Sequence, residues 1–530
     1  MTVSLLSTSA NLPPIARAAH ARRDAPAIVS NGGAQHTYGQ LLNAACVQRR
    51  LAERTGGKLE GQRIAFLCPP SFDFVAVQWG AWAARAIAVP LCTTHPPAEL
   101  EYTIRDSGAA VVVYHPSFKD RLEPLRENLA SVAWLSLDDA MSSPDVDNTA
   151  PNAADPVIAD DEAEWKDRGA LMIYTSGTTG KPKAVLTTHG NIQAQVKSLA
   201  EAWKFTPNDR ILNVLPLHHV HGLINALNMP LWSGATCEFM PFHAAHVWER
   251  FMSKQRDLTV FMAVPTVYAK LLQHYDTMSP DQQSAARDAC RQFRLMVSGS
   301  AALPDGLFRK WEAVSGHQLL ERYGMSEIGM ALGNPYNGPR IPGTVGKPFP
   351  GVGISIRNET GADAQADADG TVSGDLFVSG PQVFKEYWNK PEATRKELSA
   401  DGWFRTGDLV SRDANGVHRI LGRASVDIIK SSGYKISAPE IEREAMSCSI
   451  VKDIAVLGLK NEEYGETIAA MVVFAEGEEG ENVATLKAFL KDKLAPYKIP
   501  RRYLAVKELP RNVMGKVNKK QLVGYFEEQQ

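Results

Sequence analysis

Thr175-Ser176-Gly177-Thr178-Thr179-Gly180-Lys181-Pro182-Lys183 is the stretch on which the reading of this chain turns. Just upstream, the apolar run Ala170-Leu-Met-Ile-Tyr174 predicts a buried strand. The loop that leaves it carries four hydroxyl residues, two glycines and two lysines. Glycine lets backbone N–H groups approach an anion, hydroxyls add hydrogen bonds, and ammonium groups supply counter-charge. That is a cradle for a polyphosphate. It is not a Walker A loop, because the G-x-x-x-x-G-K-[ST] spacing is absent and Pro182 follows the first lysine. A polar surface turn uses the same residue types. The rest of the chain decides between the two.

Outward from the loop, short apolar runs alternate with amphipathic stretches. Arg63-Ile-Ala-Phe-Leu67, Ala86–Leu91, Ala110–Tyr114, Arg210–Leu217, Thr259–Val264 and Arg294-Leu-Met-Val297 predict strands, and Pro265 is a good first helical residue. This alternation argues for an α/β fold with parallel-rich sheets covered by helices. Residues 143–161, rich in Pro, Asp and Ala, predict a loop. After Gly422-Arg423 the pattern changes to a helix over Ala438–Met446, strands over Ile454–Leu459 and Ala469–Phe474, and a helix over Val483–Leu494. That is a compact α+β unit of the usual domain size. The expected division is a large domain over residues 1–422 and a small, mobile one over 423–530.

At 530 residues the chain exceeds what one hydrophobic core supports. A net charge of −2 gives no reason to expect nucleic acid or an anionic membrane as partner. The six cysteines show no C-x-x-C pairing and read as thiols of a reducing compartment. No run is long and apolar enough to predict a membrane span. Arg17, Arg22 and Arg23, with no acid before them, faintly suggest a mitochondrial presequence. Residues 15–22 also read as the first helix of the folded domain, so the expected compartment is the cytoplasm.

Four further features fall in order along the chain. Glu321-Arg-Tyr-Gly-Met-Ser-Glu327 gathers an aromatic, a hydroxyl and a carboxylate in what reads as one tight turn. A carboxylate beside a triphosphate suits Mg²⁺, which takes one or two protein oxygens together with phosphate oxygens and water. Thr406-Gly-Asp408 sets an acid at a turn where it could accept from ribose hydroxyls, Gly422-Arg423 adds a cation, and Gly515-Lys516 sets a lysine in a glycine-permitted turn. Singly, each is a common surface feature. Together, and spread over about 340 residues, they are very hard to obtain by chance.

In these features the chain resembles the adenylate-forming superfamily of acyl-CoA synthetases, peptide-synthetase adenylation domains and beetle luciferases. Within it the chain is most similar to the malonyl-CoA and methylmalonyl-CoA synthetases. Leu215-Pro-Leu-His-His-Val-His-Gly-Leu223, Phe261–Tyr268, Leu295–Pro304, Glu321–Met330 and Pro510-Arg-Asn-Val-Met-Gly-Lys516 carry that closer likeness. The resemblance implies ATP, Mg²⁺ and coenzyme A, and two half-reactions: carboxylate plus ATP gives acyl-AMP and pyrophosphate, and a thiol then displaces AMP. It implies an ATP site formed by the Thr175–Lys183 loop, by Gly299, Ser300 and Ala301, by Glu321, Tyr323, Gly324, Met325 and Ser326, and by Asp408, Arg423 and Lys516. Glu327 and Thr178 would hold the metal. Lys516, Thr178, His219 and Glu327 would carry the chemistry, and Ser432, Gly433, Tyr434 and Lys435 would meet coenzyme A. The hinge falls within Ser425–Asp427, in a segment one residue longer than the usual pattern. Ala184 stands where the phosphate loop commonly ends in Gly, outside the hydroxyl cradle.

Arg322 is the residue that speaks to the acid. A buried guanidinium without counter-charge is costly, so a substrate carboxylate would be a natural bidentate partner. Its alternative is an internal pair with Glu321. Lys270 is either a second substrate cation or a solvated lysine, and Ser300 either bonds the acid or belongs to the adenine turn. His219 and His221 serve packing or gating as readily as proton chemistry. Three rival readings remain: loading of a carrier-protein phosphopantetheine, activation of a medium-chain or aromatic acid, and a luciferase-like oxygenase or non-catalytic scaffold. Monomer and homodimer are equally open.

Overall fold

The computed structural model describes residues 12–42, 45–141, 162–175, 181–431, 434–461, 463–475, 479–511 and 517–527. Two large sheets dominate. The seven-stranded sheet runs Glu386–Tyr387, Lys183–Thr188, Gly169–Thr175, Ile87–Pro90, Arg63–Leu67, Val111–Tyr114, Ala133–Ser136. The nine-stranded sheet has Val260–Ala263, Leu295–Gly299 and Leu320–Met325 as parallel neighbours near one end. Antiparallel pairing is confined to the margins of both, as at Gly169–Thr175 against Lys183–Thr188. All of the predicted strands lie in sheets, although Arg210–Leu217 pairs only through Asn213.

Apart from Asp73 and Gln78 the Phe72–Ala83 helix is apolar, and from Phe74 onward it is buried in the main core. Its Trp82 Nε1 donates to the Ala170 carbonyl at 2.9 Å, bracing the strand that feeds the phosphate loop. Residues 14–21 are helical, with Ile15, Ala16 and Ala19 buried in the same core.

A four-stranded antiparallel sheet follows, ending in Phe404–Arg412 and His418–Arg423. The last five strands, from Ile428–Ser431 to Arg502–Ala505, form a separate sheet with its own apolar cores. The Ala438–Ala445 and Glu479–Lys491 helices match the predicted ones to within a few residues.

Two sequence expectations need correction. Glu321–Met325 is not a turn but a strand, antiparallel to Gly329–Gly333, and only residues 326–328 turn the chain. Buried residues of mixed polarity conceal the strand period there. Asp408 likewise lies inside a strand, beside an irregularity where Gly407 takes φ +75°.

Candidate active site

At the phosphate strand, Thr175 pairs with Lys183 across the ladder. Ser176, Gly177, Thr178, Thr179 and Gly180 lie outside the described residues. The flanks are well anchored. Tyr102 donates from its hydroxyl to the Pro182 carbonyl at 2.7 Å, and the Lys181 ammonium sits 5.3 Å from the Tyr102 ring centroid. Ala184 is fully buried in the core, so a Cβ is accommodated where glycine is common. The Lys183 ammonium lies over the Tyr387 ring at 4.7 Å, and the Tyr387 hydroxyl donates to Glu327 Oε1 at 2.8 Å. Burial raises the Glu327 carboxyl, while the Tyr387 hydrogen bond and the Arg423 and Lys183 charges oppose the rise. A buried carboxylate facing two cations beside a phosphate loop has the donor chemistry a magnesium ion takes.

The strand Leu320–Met325 supplies the centre of the site, and its side chains alternate between two faces. On one face the Tyr323 hydroxyl donates to Asp408 Oδ2 at 2.5 Å, and Arg423 donates to both Asp408 oxygens at 2.9 and 3.3 Å. Asp408 and Arg423 are register partners in the four-stranded sheet, which is how residues 15 apart in sequence come to pair. Glu321 shares this face, but its carboxyl accepts the Leu303 amide at 3.0 Å and is buried. Burial pushes that carboxyl up to about 8, against the pull of Arg419 and Arg443. Its side chain caps the turn after Leu295–Gly299 from inside.

On the opposite face lies Arg322, buried, with Nη2 donating to Ser300 Oγ at 3.3 Å. No ion pair joins it to Glu321, because adjacent strand residues point apart. Burial pulls the guanidinium down to about 9, so it stays charged at neutral pH. Gly299 leaves room for this placement: a Cβ on it would meet the Arg322 guanidinium at 2.6 Å and displace it. Ser300 adopts φ +69°, which sets its hydroxyl 3.2 Å from His221 Nδ1. Burial, then the Arg322 charge, hold His221 well below its ordinary value, so it is neutral. Arg322 donates to the Ser300 oxygen, and the serine hydroxyl and His221 Nδ1 share the second hydrogen bond. Two buried nitrogens, Arg322 Nε and His221 Nε2, have no hydrogen-bond partner among the described residues.

His221 opens a π-helical segment, His221–Asn228, that is buried throughout. Gly222 allows it, since a Cβ there would meet the Pro216 carbonyl at 2.3 Å. His219 is half-buried with its ring centroid 4.0 Å from that of His218. Lys270 is exposed on the Pro265–Asp276 helix, as a solvated lysine would be. Ala301 is exposed at the end of its strand, and Gly324, Met325 and Ser326 are half-buried around the turn. Tyr434 is exposed and stacks on Tyr497 at 4.3 Å. Ser432, Gly433 and Lys516, and the side chain of Lys435, lie outside the described residues.

Sequence reasoning missed Tyr387, which joins Lys183 to Glu327, and a thiol–imidazole cluster after the strand Ile87–Pro90. That strand is parallel to the phosphate strand. Burial alone would raise the Cys92 thiol, but hydrogen bonds with His218 and His95 outweigh it and bring it down to about 5. The signals were in the sequence as Cys92-x-x-His95 and the His218-His219 pair.

Residues 15–388 match the AMP-binding enzyme family, and residues 440–516 match its C-terminal domain. Malonate–CoA ligase ACSF3, mitochondrial, of Mus musculus is 45% identical, covering 97% of this chain and 91% of its own. The malonate–CoA ligase of Arabidopsis thaliana is 42% identical, covering 94% and 86%. Among solved structures, ATP-bound MatB from Rhodopseudomonas palustris superposes with a TM-score of 0.84 at 32% identity, covering 97% of this chain and 99% of that one. The chain belongs to the AMP-binding enzyme family.

Proposed function

We propose that this member of the AMP-binding enzyme family is an AMP-forming acid–CoA ligase whose acid is malonate or methylmalonate. The observation that carries the choice of acid is Arg322: a buried cation with an unpartnered Nε–H and no carboxylate on it among the described residues. A second carboxylate on the substrate supplies both the charge and the acceptor. The names of the mouse and Arabidopsis relatives support the same acid and favour free coenzyme A over a carrier protein.

In the first half-reaction a substrate carboxylate oxygen attacks the α-phosphorus of ATP, and pyrophosphate leaves. In-line attack of one anion on another needs cations and oriented donors more than acid–base groups. Thr175–Lys183 would grip the β- and γ-phosphates, Tyr323 would meet adenine, and Asp408, already held by Arg423, would accept from ribose. Glu327 and Thr178 would hold Mg²⁺, which when bound neutralises phosphate charge. Lys516 would bridge the carboxylate and the α-phosphate. In the second half-reaction the coenzyme A sulfur attacks the acyl carbonyl and AMP leaves, with residues 432–435 and His219 on the thiol side.

The break between the sheet ending at Arg423 and the sheet beginning at Ile428 supports a division at residues 422–423, with the hinge in Ser425–Asp427. For the compartment, the packing of residues 14–21 into the core supports the cytoplasm, and the mitochondrial naming of the vertebrate relatives supports the mitochondrion. Cell fractionation decides that point.

Pyrophosphate release measured across acetate, malonate, methylmalonate, succinate, octanoate and benzoate tests the reading. Malonate or methylmalonate should exceed acetate and octanoate in kcat/KM by about a hundredfold or more, the worth of roughly 2.7 kcal/mol. Octanoate or benzoate as the best acid would overturn the choice.

A further inference from the structure

Around Asp427 the chain passes from the four-stranded sheet into the last five strands, and its carboxylate faces both ways. Oδ2 accepts the Arg423 backbone N–H at 3.0 Å, at the end of the strand whose side chain holds Asp408. Oδ1 accepts the Lys519 ammonium at 2.7 Å. Lys519 is the first residue of the Lys519–Glu527 helix, its side chain is only 11% exposed, and it also lies 2.8 Å from Glu442 Oε1. Glu442, on the Ala438–Ala445 helix, accepts the Val456 N–H at 2.7 Å through the same oxygen. The Asp427 carbonyl further accepts the Ala438 N–H at 2.8 Å.

A lysine held this deeply by two carboxylates is costly to disturb, because removing it leaves two partly buried anions facing one another. The cluster therefore fixes Asp427 to the small domain's helices. On the other side, Ala424 donates to the Gly407 carbonyl at 2.9 Å and stays with the four-stranded sheet. Between these anchors Ser425 and Val426 form a tight turn, in which the Val426 and Asp427 amides donate back to the Arg423 carbonyl at 3.1 and 2.8 Å. Lys519 lies three residues beyond Lys516 on the same chain.

We propose that Lys519 is a positioning residue for adenylation: through Asp427 it ties the segment carrying Lys516 to the strand end that bears Arg423, with the pivot at Ser425–Val426. This rests on the reading of Lys516 as the adenylation lysine. Rotation of the small domain about this turn would break the bonds that Asp427 and Val426 make to Arg423, while the Lys519–Asp427–Glu442 cluster would travel intact.

The test uses the full chain and separates the half-reactions, reading acid-dependent ATP–pyrophosphate exchange and coenzyme A transfer from presynthesised acyl-AMP. Lys519→Met should lower exchange kcat by about tenfold or more, with KM for ATP within about twofold and transfer reduced less than about threefold. Lys519→Arg, which keeps the charge, should recover more than half of the exchange rate. Asp427→Asn keeps an acceptor for the Arg423 N–H but loses the charge, and should lower exchange in the same direction; it decides the matter if Lys519→Met fails to fold. Parallel loss of both half-reactions with no rescue by Arg, or no loss at all, would overturn the positioning role. Lys516→Ala is the control: inactive Lys516→Ala with unaffected Lys519→Met sinks this inference alone, whereas active Lys516→Ala sinks the parent reading and this one with it.

Discussion

The two faces of the strand Leu320–Met325 differ in one respect that matters for function. On the Tyr323 face, every polar group at the centre has a protein partner: tyrosine hydroxyl to aspartate, aspartate to arginine. On the Arg322 face, one residue earlier, a buried guanidinium meets a serine hydroxyl, and two nitrogens, Arg322 Nε and His221 Nε2, are left without partners among the described residues. Leaving a buried donor unsatisfied costs about 1–3 kcal/mol, and more for a charged group. A complete network holds its geometry before a ligand arrives. An incomplete one gains most from a ligand of the missing kind, here an anion with two acceptor oxygens. The difference teaches where selectivity for the acid resides.

Removing the unfinished charge should break this contrast most sharply. Arg322→Leu should cost malonate activity about 2–5 kcal/mol, or roughly thirty- to several-thousandfold in kcat/KM. Butyrate, which has no distal carboxylate, should suffer less. Equal loss for both acids with a lowered melting temperature would show that Arg322 is only a structural partner.

Glu327 follows the strand at the turn, and Glu327→Gln keeps the acceptor for Tyr387 while removing the charge. Turnover should fall by about a hundredfold, with a steeper dependence on Mg²⁺ concentration. Near wild-type activity at limiting Mg²⁺ would place the metal ligand elsewhere. On the finished face the expected effect is smaller. Asp408→Asn keeps an oxygen for Tyr323 but loses its charge pairing with Arg423, and KM for ATP should rise about tenfold with KM for malonate unchanged. A matching rise for malonate would erase the distinction between the faces.

The sequence made the strands of the two large sheets readable wherever apolar runs were continuous, as in Val111–Tyr114, but not their order in the sheets. It concealed the strand that matters most. Leu320–Met325 contains Glu321 and Arg322, both buried, and no propensity rule expects adjacent opposite charges inside a sheet. The motif nevertheless singled out residues that the fold brings together, Tyr323 with Asp408 and Arg423, even where their backbone is misread. The Asp408–Arg423 pair needed the sheet register. Tyr387 carried no signal, since its role follows from an edge strand two residues long, Glu386–Tyr387, seated beside Lys183–Thr188.

Glu321 offers the finest test of the contrast, since it lies on the finished face yet carries a strained proton equilibrium. Burial raises its carboxyl from the ordinary value of 4.5 to about 8, with Leu303 as hydrogen-bond donor and Arg419 and Arg443 pulling the other way. Below pH 4.5 the carboxyl is protonated in folded and unfolded chains alike, and no stability depends on it. Between 4.5 and 8 the unfolded chain ionises while the folded chain holds its proton, so the folded state loses stability as pH rises. Above 8 both forms are ionised and the loss levels off. Glu321→Gln keeps the oxygen that accepts the Leu303 N–H and cannot ionise. Its stability relative to wild type, read from urea midpoints, should therefore grow from pH 5 to pH 8 by on the order of 1–3 kcal/mol and then stay flat. Malonate kcat/KM should change by less than about twofold, because the side chain points away from the substrate face. If the variant instead loses ground as pH rises, Glu321 is ionised in the folded protein and paired with Arg419 and Arg443. The Tyr323 face would then be held by a buried ion cluster, and its completeness would depend on charge as much as the Arg322 face does.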